Sequence, residues 1–252
     1  MNIAIITGAS SGLGREYAYA VSSRYPQLDE IWVVARREER LKEIKSAIGK
    51  KIRVVPGDLT NGEDIHKLSA LLNETSADVK LLVNNAGFGK IGNFKDLPLD
   101  ENIDMIRLNC EALTAVTAIA LPFMNKGGKI INISSIASFA PNTRLAVYSS
   151  TKAFVMSLSR AMRVELKPIG INVLAVCPGP MDTEFLPVAN ILKGTSRTFD
   201  TLPRVKPKSV AIGSLKASDR NKAVYTNHIL YKFYRILGKI LPHSFVMKIC
   251  GA

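Results

Sequence analysis

Short runs of β-branched and apolar residues alternate along this chain with segments long enough to form helices. The runs lie at residues 3–6, 31–35, 52–55, 80–83, 129–133 and 171–176, and a weaker run near 223–225 extends the series. They are apolar throughout instead of alternating, as strands buried on both faces of a sheet must be. The pattern predicts one α/β domain, residues 1–252, with a doubly wound parallel sheet of about seven strands and helices on both faces.

Composition excludes several other classes of protein. Hydrophobic residues make up 47% of the 252 residues and charged residues 22%, so the chain can bury a core and is not intrinsically disordered. It has no uninterrupted apolar run of about 18 residues and no cleavable basic leader, so we expect neither a membrane-spanning nor a secreted protein. The three cysteines and three histidines lack disulfide or metal-ligand spacing. We therefore expect a cytoplasmic protein without a bound metal.

A glycine-rich turn follows the first predicted strand directly. It spells Thr-Gly-Ala-Ser-Ser-Gly-Leu-Gly from Thr7 to Gly14 and opens a helical segment. Gly8 permits a tight exit from the strand, Gly12 lets the backbone approach a pyrophosphate, and Gly14 lets helix and strand pack closely. Free N–H groups at the helix N-terminus favour phosphate. The predicted cofactor contacts in this turn are Gly8, Ser10, Ser11, Gly12, Leu13 and Gly14.

This TGxxxGxG turn closely resembles the cofactor turn of the short-chain dehydrogenase/reductase family. Further motifs of that family follow in order: Asp58-Leu59, Asn84-Asn85-Ala86-Gly87, Asn109, Ser134-Ser135, the YxxxK pair Tyr148 and Lys152, and Pro178 to Thr183. The resemblance is strong up to about Thr183 and weak beyond it. It implies a Rossmann-type fold and a nicotinamide cofactor that also contacts Asp58, Leu59, Asn85, Ala86, Gly87, Tyr148, Lys152, Pro178, Gly179 and Thr183.

The same resemblance implies four catalytic residues: Asn109, Ser135, Tyr148 and Lys152. Tyr148 and Lys152 stand one helical turn apart, so we expect the ammonium to lower the pKa of the tyrosine and make Tyr148 the proton donor for carbonyl reduction. The Ser135 hydroxyl would stabilise charge on the substrate oxygen, while strand alternation turns Ser134 away. In the family, the lysine also holds the nicotinamide ribose, and the asparagine orders a proton-relay water.

The end of the second predicted strand distinguishes the two nicotinamide cofactors. Ala35 stands where an NAD-binding fold has an acidic residue, and Arg36 follows it. No carboxylate is present to repel a 2′-phosphate, and a guanidinium is well suited to bind one. Alternatively, Arg36 and Arg37 are solvated residues that open a charged helix, although the missing acid still argues against NAD. We predict NADP(H).

Residues 181–207 break the strand–helix rhythm with three prolines, a glycine and a Thr/Ser cluster. Long loops in compact domains are usually functional, so we expect a substrate lid here with about one helical turn. Its apolar residues include Phe185 and Leu186, which we expect to contact the substrate, and also Val188, Ile191 and Leu192.

The C-terminal segment, residues 228–252, has apolar residues at helical spacing from Ile229 onward. Lys232, Arg235 and Lys239 are expected on the opposite side. Three roles are open: a cover over the substrate mouth or a subunit contact, a helix lying on an anionic membrane, or a helix that closes the core. We favour the first, with Phe233 against the substrate.

Together these patterns predict an NADPH-dependent carbonyl reductase, or alcohol dehydrogenase in reverse, for a bulky apolar substrate such as a ketosteroid, bile acid or long-chain 3-oxoacyl compound. The alternatives are a small-carbonyl reductase of broad tolerance and a non-catalytic NADPH-binding sensor or scaffold with a membrane-associating C-terminus. The net charge is +13, with six basic and no acidic residues between 220 and 252. That stretch lacks Gly/Arg-rich character, so we expect no nucleic-acid partner. We expect a homodimer or homotetramer, and membrane-surface association is open but not favoured.

Overall fold

Seven parallel strands form one sheet, as the apolar runs predict. The computed structural model describes residues 1–191 and 200–250, with side chains up to Met247. The strands are β1 (Asn2–Thr7), β2 (Glu30–Ala35), β3 (Ile52–Pro56), β4 (Asp78–Asn84), β5 (Lys129–Ile133), β6 (Asn172–Val176) and β7 (Val224–Tyr225). Their spatial order is β3-β2-β1-β4-β5-β6-β7, and every neighbouring pair is parallel. The prediction of a doubly wound, single-domain Rossmann-type fold is confirmed.

Helices cover both faces of this sheet. They are α1 (Gly12–Arg24), α2 (Glu38–Ile48), α3 (Gly62–Glu74), α4 (Leu99–Ile106), α5 (Leu113–Ala120), α6 (Ala146–Glu165), α7 (Phe185–Val188), α8 (Pro207–Asp219), α9 (Ile229–Ile240) and α10 (His243–Cys250). One buried cluster joins the sheet to α1, α2 and α8, and a second joins its other face to α3 and α5. The strands are therefore buried on both sides, which explains why their sequences are apolar throughout.

One helical stretch is long and apolar enough to cross a membrane, judged by length and composition alone. The sequence did not predict such a stretch. It runs from Leu99 to Phe123 and includes α4, a π-helical turn at Arg107–Ala112, and α5. Within the fold it contacts α3, β4 and α6. Ala112, Val116 and Ala120 pack into the buried cluster against the sheet, whereas Leu99, Ile103 and Ile106 are exposed.

The topology also fixes where a ligand can bind. The strand order reverses between β1 and β4, and the carboxyl ends of the strands diverge into a crevice at such a point. A cavity of about 1090 Å³ lies there, lined by the ends of β2, β5 and the loops after β1, β4 and β6. The predicted lid contributes α7 to its wall, and residues 192–199 of that lid, including Leu192, lie outside the described part of the chain.

Candidate active site

The glycine-rich turn after β1 packs against the loop after β4 with no room for additional side-chain atoms. Gly8 and Gly12 both adopt positive φ, +64° and +52°. A Cβ on Gly8 would lie 2.7 Å from the Ala86 Cα, and one on Gly14 would lie 2.5 Å from the Asn85 Nδ2. Glycine is therefore required at these positions by backbone conformation and by close approach. The bare backbone faces the cavity at the N-terminus of α1, which is the cradle a pyrophosphate needs.

Thr7 holds these two loops together. Its Oγ1 accepts hydrogen bonds from the backbone N–H groups of Asn85, at 2.9 Å, and Ala86, at 3.1 Å. The Asn85 side chain also links the two loops, because its Nδ2 donates to the carbonyls of Thr7 and Gly8, both at 3.1 Å. In the sequence, Thr7 is only the first residue of the TGxxxGxG motif and has no predicted role of its own. Its position at the last residue of β1, next to β4, is the signal that would have identified it.

Two arginines, Arg36 and Arg37, line the cavity beside the glycine-rich turn. The Arg36 side chain is 75% exposed, with its Nη1 3.7 Å from Asp58 Oδ2. Arg37 is more tightly held: its Nη2 donates to Ser10 Oγ at 3.2 Å and to Glu184 Oε2 at 2.7 Å. Arg36 is the phosphate ligand predicted from the sequence, whereas the structure brings both guanidinium groups to the cavity wall. Arg37 and Glu184 are site residues that the sequence did not predict.

Ser135, Tyr148 and Lys152 meet at the carboxyl end of β5. The Tyr148 hydroxyl hydrogen-bonds the Ser135 side chain, and Lys152 Nζ lies 5.7 Å from the centroid of the Tyr148 ring. The Lys152 ammonium donates to the carbonyl of Ile133 at 3.0 Å. Ser134 Oγ instead donates to the Lys152 carbonyl at 2.8 Å, so it faces away from the tyrosine, as strand alternation predicts.

Burial dominates the protonation of this group. It raises the pKa of Tyr148 to about 12, and the Ser135 hydrogen bond offsets only part of that increase. Burial also lowers the pKa of Lys152 to about 8. The expectation that the pKa of Tyr148 lies below its ordinary value is therefore wrong for this structure, because desolvation of the phenolate outweighs the hydrogen bond with Ser135. Tyr148 holds its proton at neutral pH.

Asn109 lies in the π-helical turn, where the extra residue points its side chain toward the loop after β4. Its Oδ1 accepts from the Phe88 N–H at 3.0 Å, and its Nδ2 donates to the Phe88 carbonyl at 2.8 Å and to Thr151 Oγ1 at 3.0 Å. A Cβ on Gly87 would lie 2.7 Å from this Oδ1 and 3.3 Å from Lys152 Nζ. Asn109 thus fixes the loop beside Lys152, and its role toward a relay water stays a prediction.

Apolar side chains form the wall of the cavity beyond Tyr148. The Phe185 ring lies 5.6 Å from the Tyr148 ring, and Gly89 leaves the space that both rings occupy. The three predicted substrate contacts, Phe185, Leu186 and Phe233, all line the cavity, as do Ile191, Leu230 and Leu237.

Tyr231 attaches α9 to the segment after β6. Its hydroxyl donates to the Pro203 carbonyl at 2.6 Å, and its ring packs directly on Gly179. Pro178 and Thr183 belong to the same segment, and Thr183 packs on Gly12. The fold therefore gathers the predicted residues around one cavity, from the glycine-rich turn to α9.

The family profile described as short chain dehydrogenase matches residues 2–190. The chain belongs to the short-chain dehydrogenase/reductase family. An uncharacterized oxidoreductase of Staphylococcus aureus is 28% identical to it over 230 residues, which cover 90% of this chain and 95% of that protein. As a member of this family, the protein is an oxidoreductase that uses a nicotinamide cofactor on a small-molecule substrate, and the glycine cradle fits such a cofactor.

Two solved structures of this family are similar over nearly the whole chain. A short-chain dehydrogenase from Sphingobium yanoikuyae in complex with NADPH superimposes with a TM-score of 0.78 at 30% identity, covering 98% of this chain and 96% of that one. The bulky-bulky ketone specific alcohol dehydrogenase from Comamonas testosteroni gives 0.73 at 28% identity, covering 97% and 96%. Both alignments extend past Thr183, where the sequence resemblance is weak.

Proposed function

We propose that this short-chain dehydrogenase is an NADPH-dependent carbonyl reductase, and an alcohol dehydrogenase in reverse, whose substrate is a bulky apolar ketone. Ketosteroids, bile acids and long-chain 3-oxoacyl compounds have that character. One observation carries the proposal: a single cavity of about 1090 Å³ extends from two arginines, past Tyr148, to an apolar wall. It has two guanidinium groups for a cofactor phosphate, a proton donor, and an apolar surface for the substrate.

The preference for NADPH rests on Ala35, Arg36 and Arg37. Ala35 places no carboxylate at the end of β2, and the two carboxylates nearby, Asp58 and Glu184, are paired with Arg36 and Arg37. Arg37 is held beside Ser10 of the glycine-rich turn, and Arg36 extends from the same edge of the cavity. Charge-assisted hydrogen bonds from guanidinium groups to phosphate are among the strongest in proteins. The NADPH complex of the Sphingobium relative supports the same choice.

The remaining cofactor contacts follow from what faces the cavity. The backbone from Ser10 to Gly14 would hold the pyrophosphate, Asp58 and Leu59 the adenine, and Lys152 the nicotinamide ribose. Asn85, Ala86, Gly87, Pro178, Gly179 and Thr183 would complete the nicotinamide end. When bound, the cofactor supplies a hydride to the carbonyl carbon of the substrate.

Tyr148 would then donate its hydroxyl proton to the substrate oxygen as the C–O bond becomes an alkoxide. A phenol with a pKa of about 12 keeps its proton at neutral pH and is still a stronger acid than the aliphatic alcohol that forms. Ser135, already hydrogen-bonded to Tyr148, would donate to the same oxygen and stabilise its developing charge. With its pKa of about 8, Lys152 is mostly cationic at neutral pH and stabilises the phenolate that Tyr148 leaves behind.

The apolar wall supports the choice of a bulky substrate. The cavity is lined by Phe185 and Leu186 of α7 and by Leu230, Phe233 and Leu237 of α9. Burying apolar substrate surface against such a wall is favourable by roughly 25 cal/mol per Å². A small ketone leaves most of that surface unused. The Comamonas relative, described as specific for bulky-bulky ketones, fits the same reasoning.

The test is a panel of ketones assayed with NADPH, in which a ketosteroid, a bile-acid ketone and a 3-oxoacyl thioester are compared with acetone and butanone. We expect kcat/KM for at least one bulky ketone to exceed that for the small ones by about 100-fold or more, since a few buried methylenes give this ratio. Equal or higher kcat/KM for the small ketones would overturn the substrate class. Absence of any carbonyl-dependent NADPH oxidation would overturn the proposed activity.

A further inference from the structure

The outer face of α9 carries a line of exposed apolar side chains, here called the outer stripe. It consists of Ile229, Phe233, Ile236 and Ile240, which are 74%, 58%, 50% and 72% exposed. Their spacing of four, three and four residues places them in one line along the helix. No residue in the described part of the chain covers them. Isolated exposed apolar residues are ordinary, but an aligned row marks an interaction surface.

The opposite side of α9 is fixed to the protein, so the outer stripe cannot rotate inward. Tyr231 is buried and bonded to the Pro203 carbonyl, and Gly238 packs on the Phe139 carbonyl, 2.6 Å from where its Cβ would be. With 3.6 residues per turn, Ile229 and Tyr231 lie on nearly opposite sides of the helix. A helix that only closes a core turns its most apolar side inward, and α9 does the reverse.

Lysines border the outer stripe. Lys232 and Lys239 are exposed and lie four residues before and three residues after Ile236, on the same flank. The chain has six basic and no acidic residues between 220 and 252. The surface that covers this face must therefore offer apolar contact together with negative charge.

This combination decides between the candidate occupants. Antiparallel symmetric pairing of α9 with a second copy would bring the lysines of both copies to the same side of the contact, where like charges repel. An anionic bilayer instead offers acyl chains for an apolar row and phosphate groups for flanking lysines. We infer that α9 docks on an anionic lipid surface, with the outer stripe in the interface and Lys232 and Lys239 among the headgroups.

The neighbouring surface is consistent with this orientation. Phe245 of α10 follows Pro242 and is 51% exposed, which continues the apolar surface past the end of α9. Leu230 and Phe233 line the cavity and are also exposed, so docking brings the mouth of the cavity to the lipid. Of the three roles predicted for this segment, a cover over the substrate mouth is the favoured one. In the structure α9 does line the cavity, and its outer face is a separate surface. The docking itself does not depend on the proposed reductase activity.

The experiment is co-sedimentation of the full chain with vesicles of phosphatidylcholine alone or mixed equally with phosphatidylglycerol. We expect binding only to the phosphatidylglycerol vesicles and its loss as salt is raised, because Lys232 and Lys239 contact the headgroups. The double variants I236N/I240N and K232E/K239E should each weaken binding by about tenfold or more. None of these four side chains lines the cavity.

Matched controls distinguish docking by this face from nonspecific hydrophobic or electrostatic binding to the vesicles. V164N/I169N removes two exposed apolar residues elsewhere, and K50E/K126E makes the same change in net charge as K232E/K239E. Both controls should bind like the wild type. No binding by the wild type, unchanged binding by I236N/I240N, or equal losses in K50E/K126E and K232E/K239E would each overturn the inference. It is also overturned if sedimentation velocity shows that I236N/I240N only dissociates an oligomer while vesicle binding is unchanged.

Discussion

Replacing Lys152 with methionine should change the pH dependence of stability in a defined direction. Burial lowers the pKa of this lysine from 10.5 to about 8 in the folded protein. Because each pKa unit corresponds to about 1.4 kcal/mol, holding the buried ammonium charged costs the folded state roughly 3 kcal/mol below pH 8. The wild type regains that stability as pH rises from about 8 toward 10.5, where the unfolded chain binds the extra proton. Methionine cannot titrate and has no such dependence.

The size of the effect can be worked out between two practical pH values. With a pKa of 10.5 unfolded and about 8 folded, the wild type should gain about 2–3 kcal/mol relative to Lys152→Met between pH 7 and pH 10. Losing the hydrogen bond to Ile133 costs the variant about 1–3 kcal/mol at both pH values, so it cancels from this change. At pH 7 the variant should therefore unfold with nearly wild-type free energy or a higher one, although it is inactive.

Urea unfolding followed by circular dichroism at pH 7 and pH 10 measures this change directly. Other groups that titrate over the same range are common to both proteins and cancel in the difference. Lys50→Met is the matched control, because it makes the same substitution at an exposed lysine. A Lys152→Met difference that stays constant within about 1 kcal/mol would refute the argument that burial destabilises the Lys152 ammonium.

Three further predictions concern other parts of the site. Tyr148→Phe should lower kcat by about 100-fold or more and leave the Kd for NADPH nearly unchanged, because only the donated proton is removed; retention of most turnover would contradict the role of Tyr148. Arg37→Met loses the contacts to Ser10 and Glu184 and should weaken NADPH binding about 10–100-fold in a fluorescence titration. NADH binding should weaken much less, and equal losses for the two cofactors would argue against a 2′-phosphate contact. Gly14→Ala places a methyl group against Asn85 Nδ2 and should lower the free energy of unfolding by about 1–3 kcal/mol, whereas an unchanged Tm would show that the turn can relax.

Those parts of the fold and site that depend on local pattern could be predicted from the sequence. The strands are short apolar runs between turn signals, so their positions follow from period and composition, including the weak β7 at Val224–Tyr225. The glycines of the turn after β1 are fixed by their own backbone angles and by adjacent backbone. Strand alternation is equally local, and it correctly separated Ser135 from Ser134.

The features that sequence did not predict depend on tertiary surroundings. Spacing places Lys152 beside Tyr148, but the pKa values of both depend on how completely the fold buries them, and burial reversed the expected direction for the tyrosine. Arg36 and Arg37 are adjacent in sequence, but Arg37 is held beside the turn by Ser10 and by Glu184, which lies far along the chain. Helical periodicity identified α9 as amphipathic, yet it could not tell which side faces the protein.

The most direct test of the proposed function is steady-state reduction of the best ketone by the wild type with NADPH and with NADH, recording both cofactor oxidation and alcohol formed. We predict one alcohol per NADPH oxidised and a kcat/KM for NADPH about 10-fold or more above that for NADH, the ratio that one guanidinium–phosphate contact supplies. An equal or higher kcat/KM with NADH, or NADPH oxidation without formation of the alcohol, would contradict it.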